Sequence, residues 1–387
     1  MRFHSYFTKV SNVHISKDVG LLPWHIGQAE AWASSLVGHF VDEAYPSLEG
    51  ELDGLEVRRL DDAPDLAYLD RSFLRYLREE AIHIDVLQLW HLGRDSIVYG
   101  TLYKRYNPKG LLYLKLDAYN TQFEERKRYS MNLAKNMFLK WVETRFLEAL
   151  DLASVENRAA LSLISNTYPE LASKLVYAPN GANDSFLSQH FPEPEAAKPF
   201  LLCVSRPGSQ EKNCELLLRS LPHLRLASQY RIVLVGPGTE AFRLAWAEAL
   251  LSHPEWRDRM EWKEEITDRL ELYRLYSQAS VCFLPSRVES FGIAYVEALY
   301  FGAMLVGHRG MFAYPELCDQ GAYGTFYDDN DEASFAKALE EAVEMSERQE
   351  LREAARKYAR KHFAWSSISD EIRMHLLEAK ARLESKA

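Results

Sequence analysis

Glu289 and Glu297 are the residues whose types and spacing point most directly to chemistry. They stand eight positions apart in the run Glu289-Ser290-Phe291-Gly292-Ile293-Ala294-Tyr295-Val296-Glu297. The preceding run, Val281-Cys282-Phe283-Leu284-Pro285, is short, apolar and closed by proline, which predicts a buried parallel strand. A loop and then a helix follow. With the helix starting near Phe291, Glu289 lies in the loop and Glu297 in the second turn. At a helical rise of roughly 1.5 Å per residue the two carboxylates are at most roughly 12 Å apart. That separation suits a ligand with polyol groups at both ends, such as a nucleotide sugar. The amides of Phe291, Gly292 and Ile293 face whatever lies between, and helix N-termini favour phosphate. The alternative reading is an ordinary amphipathic helix carrying two solvated glutamates.

A second group of residues offers complementary charge. The apolar run Phe200-Leu201-Leu202-Cys203-Val204 leads into Ser205-Arg206-Pro207-Gly208-Ser209-Gln210-Glu211-Lys212-Asn213. Arg206 supplies a planar fork and Lys212 a point charge beside a helix expected to start near Asn213. Together they form a diphosphate clamp. The alternative for this loop is a solvated charged turn. Further on, Gly236-Pro237-Gly238-Thr239-Glu240-Ala241 fits a dinucleotide fingerprint. It follows an interior strand, and no acidic residue ends a following strand at the needed distance, so NAD is not the expected ligand.

The string Pro-Ser-x-x-Glu-Ser-Phe-Gly before an x-Glu-Ala-Leu helix resembles the E-x7-E signature of retaining glycosyltransferases of the GT-B fold, especially family 4. The Arg206…Lys212 loop resembles the phosphate-binding loop of the same enzymes in both spacing and order. The resemblance implies that Gly236 lines the nucleotide side and that Trp262–Ile266 contacts the base, with Ile266 as the carried-over residue. It assigns donor hydroxyls to Glu289, ribose hydroxyls to Glu297, and the donor generally to Ser290, Phe291, Gly292 and Ile293. Gly310, Pro315 and Glu316 resemble a Gly-x-Pro-Glu turn, with the four residues Met311-Phe312-Ala313-Tyr314 in place of the single x. Asn180-Gly181 with Asn183 resembles a structural Asn-Gly-x-Asp turn. Asp328-Asp329-Asn330-Asp331 contains D-x-D, but a helix expected near Ser334 makes N-capping its better explanation. No metal or other cofactor is expected.

In the first half the signal is thinner. Gly20, in Lys17-Asp18-Val19-Gly20, permits close backbone approach to phosphate or sugar. His91 and Asp117 each follow an expected strand end. Asp117 stands where the family often has histidine, and it suits a hydrogen bond from an acceptor or donor hydroxyl. His91 is equally explained as a packing histidine. Tyr103-Lys104-Arg105-Tyr106 and Lys109, with Arg126, Lys127, Arg128, Lys135 and Lys140, make a basic-aromatic patch for an anionic membrane or lipid-linked acceptor. The interspersed Glu124, Glu125, Glu143 and Glu148 favour a solvated face instead.

The elements that must position these residues alternate between apolar runs and helical patterns, which predicts parallel sheets in an α/β protein. At 387 residues the chain suits two domains. Expected are a Rossmann-like acceptor-side domain over 1–185, a linker over 186–199 and a Rossmann-like nucleotide-sugar domain over 200–363. A C-terminal helix over 364–387 packs back on the first domain. The expected fold is GT-B, with two doubly wound domains facing across a cleft. Expected strands are Asp85–Leu89, Leu111–Leu116, Leu152–Val155, Lys174–Tyr177, Phe200–Val204, Arg231–Val235, Val281–Leu284, Met304–Val306 and Thr325–Tyr327. Expected helices in the first half cover Pro23–Leu36, Leu66–Glu80 and Tyr129–Leu147. The residues after Ser334 are expected to be helical, with an interruption near Phe363–Ser366.

Net charge is −10, which disfavours wholesale nucleic-acid binding. The four cysteines, Cys203, Cys214, Cys282 and Cys318, are widely spaced and read as reduced thiols. The first residues lack the apolar core of a secretory signal, and no run is long enough to span a bilayer. A cytoplasmic protein is expected, at most peripheral at the inner face of the membrane. The expected activity is retaining transfer of a sugar from an NDP-sugar, UDP-sugar favoured, to a hydroxyl of a carbohydrate or lipid-linked glycan. A sugar-nucleotide epimerase or hydrolase, and a non-catalytic partner protein, are the alternatives.

Overall fold

The structure is a computed structural model that describes residues 1–61, 69–117, 133–193 and 196–385, with the side chains of 133–139 outside the description. The chain forms two compact units, Met1–Asn180 with Trp365–Ala387, and Gly181–Ala364.

The first unit carries a seven-stranded sheet in the order β3-β2-β1-β4-β5-β6-β7. Its strands are β1 Arg2–Val10, β2 Ala33–Phe40, β3 Glu56–Arg59, β4 Val86–Trp90, β5 Leu111–Leu116, β6 Leu152–Val155 and β7 Leu175–Tyr177. All neighbours pair in parallel. The strand order reverses between β1 and β4, where Phe3 pairs with Val86. Strands β4 and β5 are buried along their whole length, as expected for parallel strands covered on both faces. Helix Trp365–Glu384 buries Trp365, Ile368, Ile372 and Leu376 in the same core cluster as Leu22 and Ile26 of helix Asp18–Gly27.

The second unit carries β8 Phe200–Val204, β9 Arg231–Val235, β10 Met260–Lys263, β11 Val281–Phe283, β12 Met304–His308 and β13 Gly324–Tyr327. They form a parallel sheet in the order β10-β9-β8-β11-β12-β13, with the reversal between β8 and β11. All four cysteines are free and buried, Cys203 and Cys282 within this sheet.

Several sequence expectations are corrected. The helix expected over Pro23–Leu36 is instead helix Asp18–Gly27 followed by β2. Strands β1, β3 and β10 were not anticipated. The stretch expected as a linker from 186 takes in most of helix Asp184–His190, whose Leu187 is buried and is followed by the core residue Phe191. Asn183 caps that helix through its side chain. Helices Arg71–Glu80 and Leu133–Ala149 occupy parts of the expected spans; their expected starts at Leu66 and Tyr129 lie outside the described residues. The C-terminal helices are Glu332–Ser346, Gln349–His362 and Trp365–Glu384.

Candidate functional site

Open α/β sheets bind ligands beyond the carboxyl ends of their strands, where strand order reverses. In the second unit the loops after β8 and β11 meet at that position. The amide of Arg287 donates to the Glu211 carbonyl at 2.8 Å, and the Asn213 side-chain amide donates to the Pro285 carbonyl at 3.2 Å. Gly208 is left-handed at φ +85°, and an added Cβ would lie 2.0 Å from Thr239 Oγ1. Gly236, at φ +133°, approaches so closely that an added Cβ would lie 1.8 Å from the Ser205 carbonyl oxygen. These contacts hold the loop carrying Arg206 and Lys212 against the neighbouring strand ends.

Lys212 Nζ donates to Glu289 Oε1 at 2.6 Å, and Ser286 Oγ donates to the same oxygen at 2.9 Å. A predicted diphosphate-clamp cation and a predicted sugar-binding carboxylate are thereby brought together. Both are mostly buried, at 18% and 12% side-chain exposure. Arg206 is different: its side chain is 64% exposed and its nearest acidic group, Glu211, is 3.8 Å away. It extends into solvent from the same loop.

Helix Ile293–Tyr300 starts two residues later than expected. Gly292 precedes it in a left-handed conformation, and among the described residues no side chain caps its first turn. Its N-terminus carries the partial positive charge that favours an anion. Phe291 turns into the core beside Phe363, whereas Ser290 and Ile293 are half-buried.

Glu297 falls in the second turn but is only 5% exposed. Arg269 ion-pairs with its Oε1, and the same guanidinium bonds the Tyr273 hydroxyl at 2.5 Å. The Tyr276 phenol is pushed well above its usual range, first by burial and then by the Glu297 charge. Glu297 therefore anchors a buried polar network. Ile266 is half-buried in the loop after β10, and Trp262 Nε1 donates to the Gly236 carbonyl at 3.0 Å. Gly310 follows β12, and Pro315 and Glu316 sit in the short helix Tyr314–Leu317. Asp331 caps helix Glu332–Ser346 by accepting from the Ser334 amide at 2.9 Å, as its sequence context predicts.

In the first unit a cavity of about 310 Å³ opens at the β1/β4 reversal, lined by Phe7, His14, Trp90, His91, Asp95 and Tyr99 among others. His91 follows β4 in a left-handed conformation at φ +56°. Its amide donates to the Lys115 carbonyl at 2.8 Å, and its Nδ1 lies 3.7 Å from Asp117 Oδ2.

Behind Asp117 lie residues that the sequence reading missed. Lys115 Nζ reaches Asp18 at 2.8 Å, Asp117 at 3.5 Å and Glu156 at 3.7 Å. Burial opposes ionisation of Asp117, but the Lys115 ammonium, the neighbouring Glu156 carboxyl and His91 outweigh it and hold its carboxyl down at about 2. Glu156 moves the other way: burial and then the Asp117 charge push it well above the usual carboxylate range, against the pull of Lys115. The sequence signal for this group was Lys115 itself, a lone cation inside Leu111-Leu112-Tyr113-Leu114-Lys115-Leu116, since a buried lysine requires partners.

Packing bears on two further first-unit expectations. Gly20 lies inside helix Asp18–Gly27, and an added Cβ would sit 2.1 Å from the Ile15 carbonyl oxygen. Gly20 itself is buried. In the basic-aromatic patch, Tyr103 is buried and donates to the Ile84 carbonyl at 2.8 Å. Lys104 is tied to Asp151 at 3.0 Å. Arg126, Lys127 and Arg128 lie outside the described residues, as does the side chain of Lys135. Among the described residues no helix is long and apolar enough to cross a membrane.

Comparison with known proteins bears on these loops. Residues 186–362 match the family model "Glycosyl transferases group 1". Glycogen synthase of Edwardsiella ictaluri is 29% identical over 188 residues, covering 46% of this chain and 38% of that protein. Glycogen synthase of Granulibacter bethesdensis is 26% identical over 177 residues, covering 44% and 36%. The matched stretch thus spans less than two fifths of these relatives' length. Solved structures extend the likeness to nearly the whole chain. Sucrose-phosphate synthase from Thermosynechococcus elongatus superposes with a TM-score of 0.69 at 16% identity, covering 99% of this chain and 100% of that one. HepE of Anabaena, solved in complex with UDP, gives 0.69 at 16% identity, covering 98% and 100%. The chain has the GT-B fold, and its residues 186–362 carry the match to the group 1 glycosyl transferases.

Proposed function

We propose that this protein is a retaining glycosyltransferase that moves a sugar from an NDP-sugar, with UDP-sugar favoured, to a hydroxyl of a carbohydrate or lipid-linked glycan. The observation that carries the reading is the Lys212–Glu289 pair at the β8/β11 reversal, beside the side-chain-uncapped N-terminus of helix Ile293–Tyr300. Cation, carboxylate and helix N-terminus are what a diphosphate joined to a polyol needs within one short span. HepE, which shares the fold, was solved with UDP and with UDP-glucose, which supports uridine as the base to try first.

In this reading Arg206, Lys212 and the amides at Phe291 and Gly292 stabilise charge on the departing diphosphate. Such electrostatic preorganisation is often the largest single catalytic contribution. Glu289 orients donor hydroxyls. Glu297 takes ribose hydroxyls with the acceptor capacity that remains beyond Arg269, since a carboxylate has about four lone-pair sites. Asp117 accepts from an acceptor or donor hydroxyl. The anomeric C–O bond to diphosphate breaks and the bond to the acceptor oxygen forms on the same face. The acceptor proton passes to a phosphate oxygen of the leaving group. No metal is required in this scheme.

The test is thermal stabilisation by UDP, ADP and GDP without metal, followed by product analysis with the matching sugar nucleotides. Saturation at about a hundred times Kd adds roughly 2.7 kcal/mol. A selective shift with a product that keeps the donor's anomeric configuration supports the reading. Free sugar or an epimer formed without acceptor favours a hydrolase or epimerase, and no shift for any nucleotide overturns the donor site.

A further inference from the structure

The carboxylates of Asp18, Asp117 and Glu156 bring oxygens within 4.8 Å of one another at the carboxyl ends of β5 and β6. The cation among them is the protein's own Lys115 ammonium. One positive charge against three carboxylates leaves an excess of negative charge in a dry place, for Lys115 and Glu156 are each 1% exposed. Like charges so close do not all stay ionised away from water. The geometry selects which carboxylate keeps a proton. Asp18 holds the shortest contact to Lys115, at 2.8 Å, and Asp117 is 29% exposed with His91 on its open side. Glu156 is sealed in, and among the described residues its Oε2 has no hydrogen-bond partner. Ionised, Glu156 would leave a buried charged oxygen without a donor. Protonated, it leaves only a neutral carbonyl oxygen and carries one O–H for a neighbouring acceptor, with Asp117 in the same group of oxygens within 4.8 Å.

We infer that Asp117 and Glu156 hold a single proton as a carboxyl pair, with Glu156 as the positioning residue that donates to Asp117 and fixes it as an ionised acceptor for a ligand hydroxyl. The groups facing the pair are Lys115 on β5, Asp18 on the helix Asp18–Gly27 and His91 after β4. The upward displacement of Glu156 and the downward displacement of Asp117 agree in direction with this division. Asp117's ligand is the acceptor or donor sugar only on the reading above; the carboxyl pair stands without it.

The experiment is infrared difference spectroscopy of the full chain near neutral pH, comparing the parent with Glu156→Gln and Asp117→Asn. An un-ionised carboxyl band is expected in the parent, absent from Glu156→Gln and shifted but present in Asp117→Asn. Glutamine retains a donor toward Asp117, so folding is expected to survive. A carboxyl-carbon NMR titration of glutamate-labelled parent protein needs no variant, and should show one glutamate still protonated near neutral pH. No such glutamate, or an unchanged band in folded Glu156→Gln, overturns the pair. In an active enzyme, Glu156→Ala should raise acceptor KM about tenfold, the scale of a charge-assisted hydrogen bond. Glu156→Gln should restore KM and remove the alkaline limb of kcat/KM. The band in a chain that transfers no sugar supports the pair and counts against the transferase reading alone.

Discussion

Lys212 Nζ lies 2.6 Å from Glu289 Oε1, joining residues 77 positions apart across the β8/β11 reversal. The pair prepares both groups for a ligand, but it also means that each neutralises the other until one arrives. Lys212→Ala removes the cation and leaves Glu289 as an unpaired, mostly buried charge facing the diphosphate position. UDP affinity is expected to fall at least about tenfold, corresponding to the ~1.4 kcal/mol that defines a decade. Glu289→Gln removes the carboxylate and frees Lys212, so UDP affinity should hold or rise while turnover falls. Calorimetric titration with UDP separates the two. Equal losses in both variants would show that the pair acts only as a structural clip.

Arg206 tests the clamp more cleanly because its side chain is largely solvent-exposed. Among the described residues its one ion-pair contact is with Glu211 at 3.8 Å. Surface substitutions of that kind usually change stability by about 0.5 kcal/mol or less. Arg206→Ala should therefore leave the unfolding midpoint in place while lowering kcat by roughly 10²–10³, the usual loss for one oriented electrostatic donor. Steady-state kinetics beside a melting curve checks both halves. Parent-level turnover would take Arg206 out of the clamp.

What could be read from the sequence followed from burial. Strands β5, β6, β8 and β9 match their expected limits because each is a short apolar run covered on both faces. Strands β1 and β2 were missed because they bury polar residues whose partners lie far off in sequence. His4 pairs with Tyr76, His39 with Asp70, and Ser35 with Glu56. No local pattern reveals such pairings. The same reason hid Glu156, whose significance comes from Lys115 and Asp117 on the neighbouring strand. In the second unit, Glu289 and Lys212 could be recognised because they sit on loops that announce themselves through Pro207, Gly208, Pro285 and Gly292. The burial of Glu297 could not, since it depends on Arg269 from a different helix.

Lys115 should matter greatly for stability. Its ammonium is enclosed by Asp18, Asp117 and Glu156. Lys115→Met preserves much of the stem's volume but strands the carboxylates without a cation. Breaking a buried pair in this way costs about 3–5 kcal/mol. Denaturant unfolding should show the loss, and Lys115→Met combined with Asp18→Asn should recover part of it. A neutral single variant would mean that the carboxyls simply take up protons.

The pH dependence of stability should carry a signature of His4. This imidazole is buried against Tyr76, and burial, reinforced by Arg58, lowers it to about 4 from the ordinary 6.5. Between those values the unfolded chain binds the proton and the folded chain does not. His4 therefore stabilises fully above about pH 6.5 and progressively less as pH falls toward 4. The loss amounts to about 3 kcal/mol at most. Unfolding free energies of the parent and His4→Gln should converge as pH falls through this window. Parallel curves would place the acid sensitivity elsewhere.

Gly236 offers a test of whether loop spacing, apart from charge, sets nucleotide binding. Its φ of +133° is a conformation that side chains rarely adopt, and an added Cβ would lie 1.8 Å from the Ser205 carbonyl oxygen. That oxygen belongs to the backbone immediately before Arg206, so it cannot yield as a flexible side chain would. Gly236→Ala must push the β8 loop away from β9 or distort its own backbone. Such strain typically costs about 1–3 kcal/mol. Displacing a positioning loop by even an ångström can cost roughly 10²-fold in rate. The expected result is moderate destabilisation with a disproportionate loss of turnover, and with UDP affinity reduced although Arg206 and Lys212 are intact. Circular dichroism, calorimetry and kinetics on one preparation would separate these effects. A destabilised variant with normal UDP affinity and turnover would show that the β8 loop finds its working position after the ligand binds.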